Sequence, residues 1–551
     1  MEAFDDILVN HVGEFGRAQK LYFFLVCLTA IPCAFHSFAN TFISGSPKHH
    51  CRFEGALKYK DDAIECAIPW DSDKDEWSKC KEYKQYNITG FNSDSDFNCT
   101  SESDEETECR SGWLYDRKIY GETVVTEWDL VCDQNWMRQL GKSIVLLGKL
   151  IGSLVFGQLS DLFGRKKILL ISLLLQITCG VLSSFSGSFP VFITFQFLLG
   201  CASSGVFLTA FVIVTEIVGP SWRTFIGITI EYFYTLGYII LTGVAYALRD
   251  WQNIELTLSL PGVLFLSYFW ILPESPRWLM TKGRYEESVK ILRNFAKTNK
   301  KSLPEDCLET LKAVKMKEHG AQTENIKALF FTSPTMRWKT ILIGFNWLSN
   351  SMVYYGLAFH TESLGSNPYL AFFISGAVEV PAYILSQLLL KRLGRKRVIC
   401  IFMSIGGVVL LSTTVIKDYK VPVLVFAMIG KLCITASYGI VYLYSAELYP
   451  TTVRNIGLGF SSICARVGGV SAPYILLIGD YTSIVMPLIL FGAQSLLAGI
   501  LILLLPETQN QNLPDNIKEA DEYKLTVSKQ CCARDSKPEE YRSVETKDTT
   551  M

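Results

Sequence analysis

The stretch that decides the fold is Gly157-Gln-Leu-Ser-Asp-Leu-Phe-Gly-Arg-Lys-Lys167. It joins two apolar runs, Leu140–Leu159 and Ile168–Phe185, each long enough to cross a bilayer core of about 30 Å. Gly164 permits a bend that a side chain would block. The three cations that follow it are held on the cytoplasmic side of a membrane. The remaining segments can be placed relative to this turn.

Composition agrees. The chain of 551 residues is 49% hydrophobic and 19% charged, with a net charge of −1, which argues against a nucleic-acid binder. Charge is segregated: residues 43–138 hold 21 acids and 12 bases, whereas residues 273–339 hold 14 bases and 8 acids. An acidic connection and a basic one are expected on opposite sides of a membrane. Residues 1–20 read as a polar cytoplasmic arm with no cleavable signal. The first spanning run, Leu21–Ala39, contains Pro32, a local disturbance that a packed bundle tolerates.

Residues 43–138 form a long loop carrying Cys51, Cys66, Cys80, Cys99, Cys109 and Cys132, with glycosylation acceptors at Asn87 and Asn98. An even cysteine count plus sequons predicts an oxidised, extracellular, disulfide-stapled cap with fifteen possible pairings. Further spanning runs are Val191–Val214, Phe225–Leu248 and Leu256–Leu272. The basic linker 273–339 includes Val289, Leu292 and Phe295 at helical spacing, so amphipathic cytoplasmic helices are expected there. Six more runs fill residues 340–505, and a polar tail, 506–551, carries Cys531-Cys532, a weak palmitoylation signal.

The two sets of six runs are related. Leu393–Lys396 echoes Phe163–Lys166, and Gly394 minus Gly164 is 230. Glu447–Arg454 echoes Glu216–Arg223 at an offset of 231, and Leu505–Glu507 echoes Leu272–Glu274 at 233. Three motifs at one offset predict an all-α integral membrane protein of twelve transmembrane helices in two six-helix pseudo-repeats, residues 21–272 and 340–505. Such repeats place a substrate cavity near the midplane between them. Asp161 is matched by Lys391 in the second turn. Asp161, Gly164, Arg165, Glu216, Arg223, Glu447 and Arg454 are therefore candidate gating residues, Asp161 meeting helix N-termini or Arg and Lys across the inner interface. The alternative is that these charges only fix topology.

These motifs resemble the major facilitator superfamily, and within it the organic cation/carnitine/organic anion transporter family. The resemblance covers nearly the whole chain and rests on Val124–Cys132, Gly157–Lys167, Pro273–Leu279, Ala446–Asn455, Leu505–Thr508 and the cysteine loop. The Gly13–Gly16 stretch, Asp250-Trp251 and Gly430–Gly459 are most like the animal organic cation and carnitine transporters. The resemblance implies a plasma-membrane, multi-pass glycoprotein with both termini cytoplasmic.

Ionisable residues within spanning runs are functional candidates by default. Glu379 resembles a family acid facing the cavity, where it would attract an ammonium or pair with a nearby base. Trp347 and Tyr354, seven apart, share a helix face, and Tyr438 matches a further family aromatic. Their rings would hold a quaternary ammonium by cation–π attraction of about 2 kcal/mol when desolvated, or serve only as packing. Arg466 stands where the family's simple cation carriers have aspartate, and Gly439 where they have glutamate. Arginine stays protonated, so a zwitterion is the expected cargo: its carboxylate on Arg466, its ammonium on Glu379 and the aromatics, with Glu231 as a second acid. Lys431 is a candidate partner for an acid or part of a coupled-ion path. Lys149 faces the cavity, pairs, or snorkels.

The expected function is transport of small organic cations or carnitine-like zwitterions by alternating access. The alternatives are an organic anion exchanger of the same fold and a non-transporting cell-surface receptor. The six histidines show no catalytic metal pattern, and no GxxxxGK[ST] occurs, so neither an enzyme nor an ATP-driven pump is expected. No cofactor is called for, with sodium or proton coupling left open. The expected partners are the cargo and the lipid bilayer, without nucleic acid.

Overall fold

The computed structural model describes residues 2–53, 64–71, 76–89, 98–101, 105–304, 308–309, 330, 333–364, 367–450, 452–509, 514 and 517. Twelve helical rods follow in order. The first six are α1 Arg17–Ile43, α2 Asn135–Phe163, α3 Arg165–Ser184, α4 Phe189–Glu216, α5 Pro220–Leu248 and α6 Trp251–Ile271. The second six are α7 Pro334–Leu364, α8 Pro368–Leu390, α9 Arg395–Ser412, α10 Lys420–Leu448, α11 Arg454–Tyr481 and α12 Met486–Leu504. Ten of these are long and apolar enough to cross a membrane, and α7 and α9 complete the second half. One face of the bundle carries the cysteine cap, and the opposite face carries the N-terminal arm and the linker.

Rod ends depart from the apolar runs for physical reasons. α7 starts at Pro334, ahead of the expected Thr340, because helical hydrogen bonding continues through Arg337 and Lys339. α1 is interrupted at Thr29, the turn preceding Pro32, whose ring crowds the carbonyl four residues back. α2 and α4 touch backbone to backbone: a Cβ on Gly148 would lie 2.2 Å from Phe197 O, and one on Gly200 2.2 Å from Val145 O. Small residues allow this approach in a setting where packing, not water, drives helix association.

The N-terminal arm, expected to be polar, packs apolar residues inward. Phe4, Ile7, Leu8 and Val12 are buried, and Asp5 pairs with Arg223 at 2.6 Å and Arg277 at 3.6 Å. The linker helix Tyr285–Thr298 buries Val289, Leu292 and Phe295, as their spacing predicted. Asn299 just beyond it donates to Val12 O at 2.9 Å.

In the cap, His49–Cys51 pairs antiparallel with Trp113–Tyr115, and Tyr86–Thr89 with Asn98–Ser101. Of the fifteen pairings, the structure selects Cys51–Cys109 and Cys80–Cys132. The side chains of Cys66, Cys99, Asn87, Asn98 and Lys391, and the tail with Cys531-Cys532, lie outside what is described.

Candidate functional site: a charged cavity between the halves

The three repeated motifs converge, once in each half. Gly164 has φ +110°, and a Cβ there would meet Glu274 Oε2 at 2.4 Å. Glu274 Oε1 accepts from the backbone N–H groups of Arg165 (2.9 Å) and Lys166 (3.0 Å), capping the N-terminus of α3, where orphan donors and the helix dipole favour an anion. Arg165 pairs with Asp161 at 2.6 Å and Glu216 at 3.1 Å. The second half repeats this. Gly394 has φ +88°, Glu507 accepts from Arg395 N at 2.9 Å, and Arg395 pairs with Glu447 at 2.9 Å. Thr508 Oγ1 donates to Glu447 Oε2 at 2.6 Å.

Asp161 is thus bound within its own half and not across the interface, because the bend at Gly164 brings Arg165, four residues on, back to it. The cluster clamps the linker-side ends of α2, α3, α4 and α6. Arg223 is not part of it and is held by Asp5; Arg454 donates to Tyr449 O at 3.2 Å.

Five ionisable residues lie near the middle of their rods: Lys149 on α2, Glu231 on α5, Glu379 on α8, Lys431 on α10 and Arg466 on α11. Glu379 and Lys431 are an ion pair at 3.1 Å, both 0% exposed. Glu379 Oε2 also accepts from Thr235 Oγ1 at 2.9 Å. The Lys431 ammonium sits 3.3 Å from the centroid of the Tyr354 ring. Of the two roles open to Glu379, this is the pairing with a nearby base, with Lys431 as the acid's partner. The ammonium that Glu379 and Tyr354 hold belongs to the protein, because Lys431 projects from α10 between them.

Glu231 is in electrostatic range of Glu379, Arg466 and Lys149. Arg466 is half-buried, its neighbours are Tyr355, Tyr438, Tyr442 and Tyr234, and its Nε has no hydrogen-bond partner among the described residues. Lys149 does not snorkel: it is 5% exposed, donates to the Ser37 hydroxyl, and lies 5.9 Å from the Tyr234 ring. Counted at formal charge, these are three cations against two acids, one positive charge in excess.

Trp347 is closed off rather than open to cargo. It is buried, its Nε1 donates to Ser445 Oγ at 2.8 Å, and Tyr438 and Tyr442 stand edge-on to its ring at 5.9 and 4.4 Å. Tyr442 is 48% exposed although it touches that buried ring, in the linker-side half of α10. The described polar links between halves lie from the midplane to the cap end. They include Tyr238 to Ser375 at 3.1 Å, Ser143 to Val470 O at 3.0 Å and Asn135 to Asp480 at 2.9 Å. Glu362 of α7 pairs with Arg138 (2.5 Å) and Lys142 (2.8 Å) of α2.

That last cluster was not singled out in the sequence. Its signal was present: two cations four apart share one helix face, near the cap end of a spanning helix.

Two six-helix halves around a charged midplane cavity define a membrane transporter of the major facilitator fold. The model of the Sugar (and other) transporter family matches residues 85–517. An organic cation transporter protein of Drosophila melanogaster is 41% identical over 94% of this chain and 95% of its own length. The human organic cation/carnitine transporter 2 is 35% identical over 94% of each chain. A beta-alanine transporter of Drosophila melanogaster is 34% identical over 98% of this chain and 93% of its own. The xylose transporter XylE from E. coli, in its inward open conformation, shares the fold, with a TM-score of 0.60 at 16% identity over 91% of this chain and 99% of that one. The chain belongs to the organic cation and carnitine transporters of solute carrier family 22, within the sugar (and other) transporter family of the major facilitator superfamily.

Proposed function

We propose that the protein carries small zwitterions with an ammonium and a carboxylate, such as carnitine or β-alanine, across the plasma membrane by alternating access. The observation that carries this reading is the cavity's charge distribution. The Glu379 carboxylate is neutralised by Lys431, while Arg466 Nε has no hydrogen-bond partner among the described residues. A carboxylate on Arg466 gains charge-assisted hydrogen bonds, and an ammonium has Glu231 and the faces of the neighbouring tyrosines. A monocation meets an excess positive charge instead. Relatives named for carnitine and for β-alanine support this class.

The disulfide cap is taken to be extracellular, glycosylated at Asn87 and Asn98, with both termini and the basic linker cytoplasmic. On that orientation the polar links between the halves lie toward the outer side. No covalent chemistry is needed. The excess positive charge also favours a second reading, organic anion exchange.

Uptake of labelled carnitine, β-alanine, tetraethylammonium and p-aminohippurate by cells expressing the protein tests this, with and without sodium. Accumulation of carnitine or β-alanine above tetraethylammonium is the expected result. Tetraethylammonium uptake alone, or p-aminohippurate exchange alone, would reject the zwitterion reading.

A further inference from the structure

The N-terminal half contains a second ionisable centre outside the cavity. Glu255 on α6 is 0% exposed, and among the described residues neither of its carboxylate oxygens has a hydrogen-bond partner. The cation-capable group described beside it is His36 of α1, whose Nδ1 lies 3.5 Å from Glu255 Oε1. His36 is also buried, and its Nδ1 also lacks a hydrogen bond. Ser259, one turn along α6, has an unpartnered hydroxyl. Gly180 of α3 meets the same spot: a Cβ built on it would lie 2.0 Å from Ser259 Oγ and 3.4 Å from His36 Cε1.

An ionised, unpaired carboxylate in such a place is strongly disfavoured. A neutral imidazole with only Nε2 protonated does not relieve it. One proton added to the pair does, in either position. On His36 it makes an imidazolium–carboxylate pair; on Glu255 it makes a carboxyl that donates to Nδ1. A second proton would leave an imidazolium without its counter-ion. We propose that His36 and Glu255 form a binding site for a single exchangeable proton, separate from the cargo cavity and coupled to it through α1.

The coupling follows from adjacency. Ser37, the next residue, turns to the cavity and accepts from Lys149. A change of partner at His36 therefore acts on the helix segment that holds a cavity cation. Other titratable groups on the surrounding rods are otherwise engaged or are thiols. Cys33 and Cys179 are buried thiols. Tyr238 on α5 bonds Ser375, and Tyr234, also on α5, lies beneath Lys149. Tyr268 bonds Leu25 O. Arg249 and Asp250 lie at the cap end, bonded to Lys118 O and Glu122 N.

The proton site does not depend on the cargo, whereas its coupling role rests on the proposed transport function. The first test uses the full chain in lipid nanodiscs, in sodium-free buffer without cargo. A native state that retains a proton which the unfolded chain releases is destabilised as pH rises. Over the pH range in which that proton is lost, the folded-to-unfolded ratio should fall by up to tenfold per pH unit. The melting temperature of the wild type should therefore drop through this range, and Glu255→Gln should flatten the drop. Equal slopes in both proteins would overturn the proposal. So would a melting temperature in the wild type that responds to added sodium and not to pH. Should Glu255→Gln fail to fold, His36→Gln serves. Glu255 must then carry the proton itself, and a protonated-carboxyl infrared band that fades with rising pH is expected; its absence would overturn the site. In proteoliposomes, a proton gradient should drive carnitine uptake by the wild type and not by Glu255→Gln. Uptake by both that ignores the gradient would overturn the coupling. Carnitine uptake by neither protein counts against the cargo reading, and the melting experiment then decides the site.

Discussion

The ammonium of Lys431 lies 3.1 Å from the carboxylate of Glu379, and neither side chain touches solvent. Lys431→Met should destabilise the protein by about 3–5 kcal/mol, because it leaves a buried carboxylate without its counter-ion. Adding Glu379→Gln should restore most of that loss. Thermal unfolding in detergent measures both. A double variant as unstable as the single one would mean that Lys431 acts through packing and not through the pair.

Arg466 differs from Lys431 in having a nitrogen without a hydrogen-bond partner among the described residues. Arg466→Ala should weaken uptake of carnitine or β-alanine roughly 10- to 100-fold, the value of a hydrogen bond to a charged group. Tetraethylammonium uptake should be unchanged or improved, since a repelling charge is gone. Competition for uptake at graded concentrations reads the difference. Equal loss for both cargo types would make Arg466 structural.

Glu362 holds two cations of the opposite half, and all three are less than a tenth exposed. Glu362→Gln leaves Arg138 and Lys142 to repel one another in a closed mouth. The cap end should open more often. A cysteine placed at Ser143 should then react faster with a membrane-impermeant maleimide in the Glu362→Gln background than in the wild-type background. An unchanged labelling rate would mean that the Glu362 pairs do not hold this end shut.

Two glycines separate backbone strain from collision. Gly164 has φ +110° and ψ +153°, a region essentially confined to glycine, and Glu274 occupies the place of a Cβ. Gly164→Ala should cost more than the roughly 1–3 kcal/mol of backbone strain alone, because Glu274 must also give up its place at the N-terminus of α3. Gly283 has φ +77° with nothing within 4 Å, so Gly283→Ala should cost only about 1–2 kcal/mol. Surface expression and melting temperature rank the two. Similar losses would argue against the Glu274 contact.

The repeat, the rods and the cap were legible because they are local or periodic. Apolar runs, glycine turns and a shared offset of about 230 residues survive in a one-dimensional reading. The midplane positions of Glu379, Lys431, Glu231 and Arg466 followed from their places within runs. Their pairing did not. Whether Lys431 or the cargo neutralises Glu379 depends on which face of α10 meets α8, and α10 and α8 are far apart in the chain.

The same division holds at the turn Gly157–Lys167. The chain alone determined that a glycine bend with cations ends α2, that it recurs in the second half, and that the whole is a two-fold bundle in a membrane. The tertiary structure decided that Asp161 stays within its own half, that Glu274 returns to cap α3, and that His36 and Glu255 are buried together. Hydrophobic periodicity fixes which residues leave water, since that is set residue by residue. Which buried charge meets which is set by helix rotation and packing across distant segments, and only the folded arrangement specifies that.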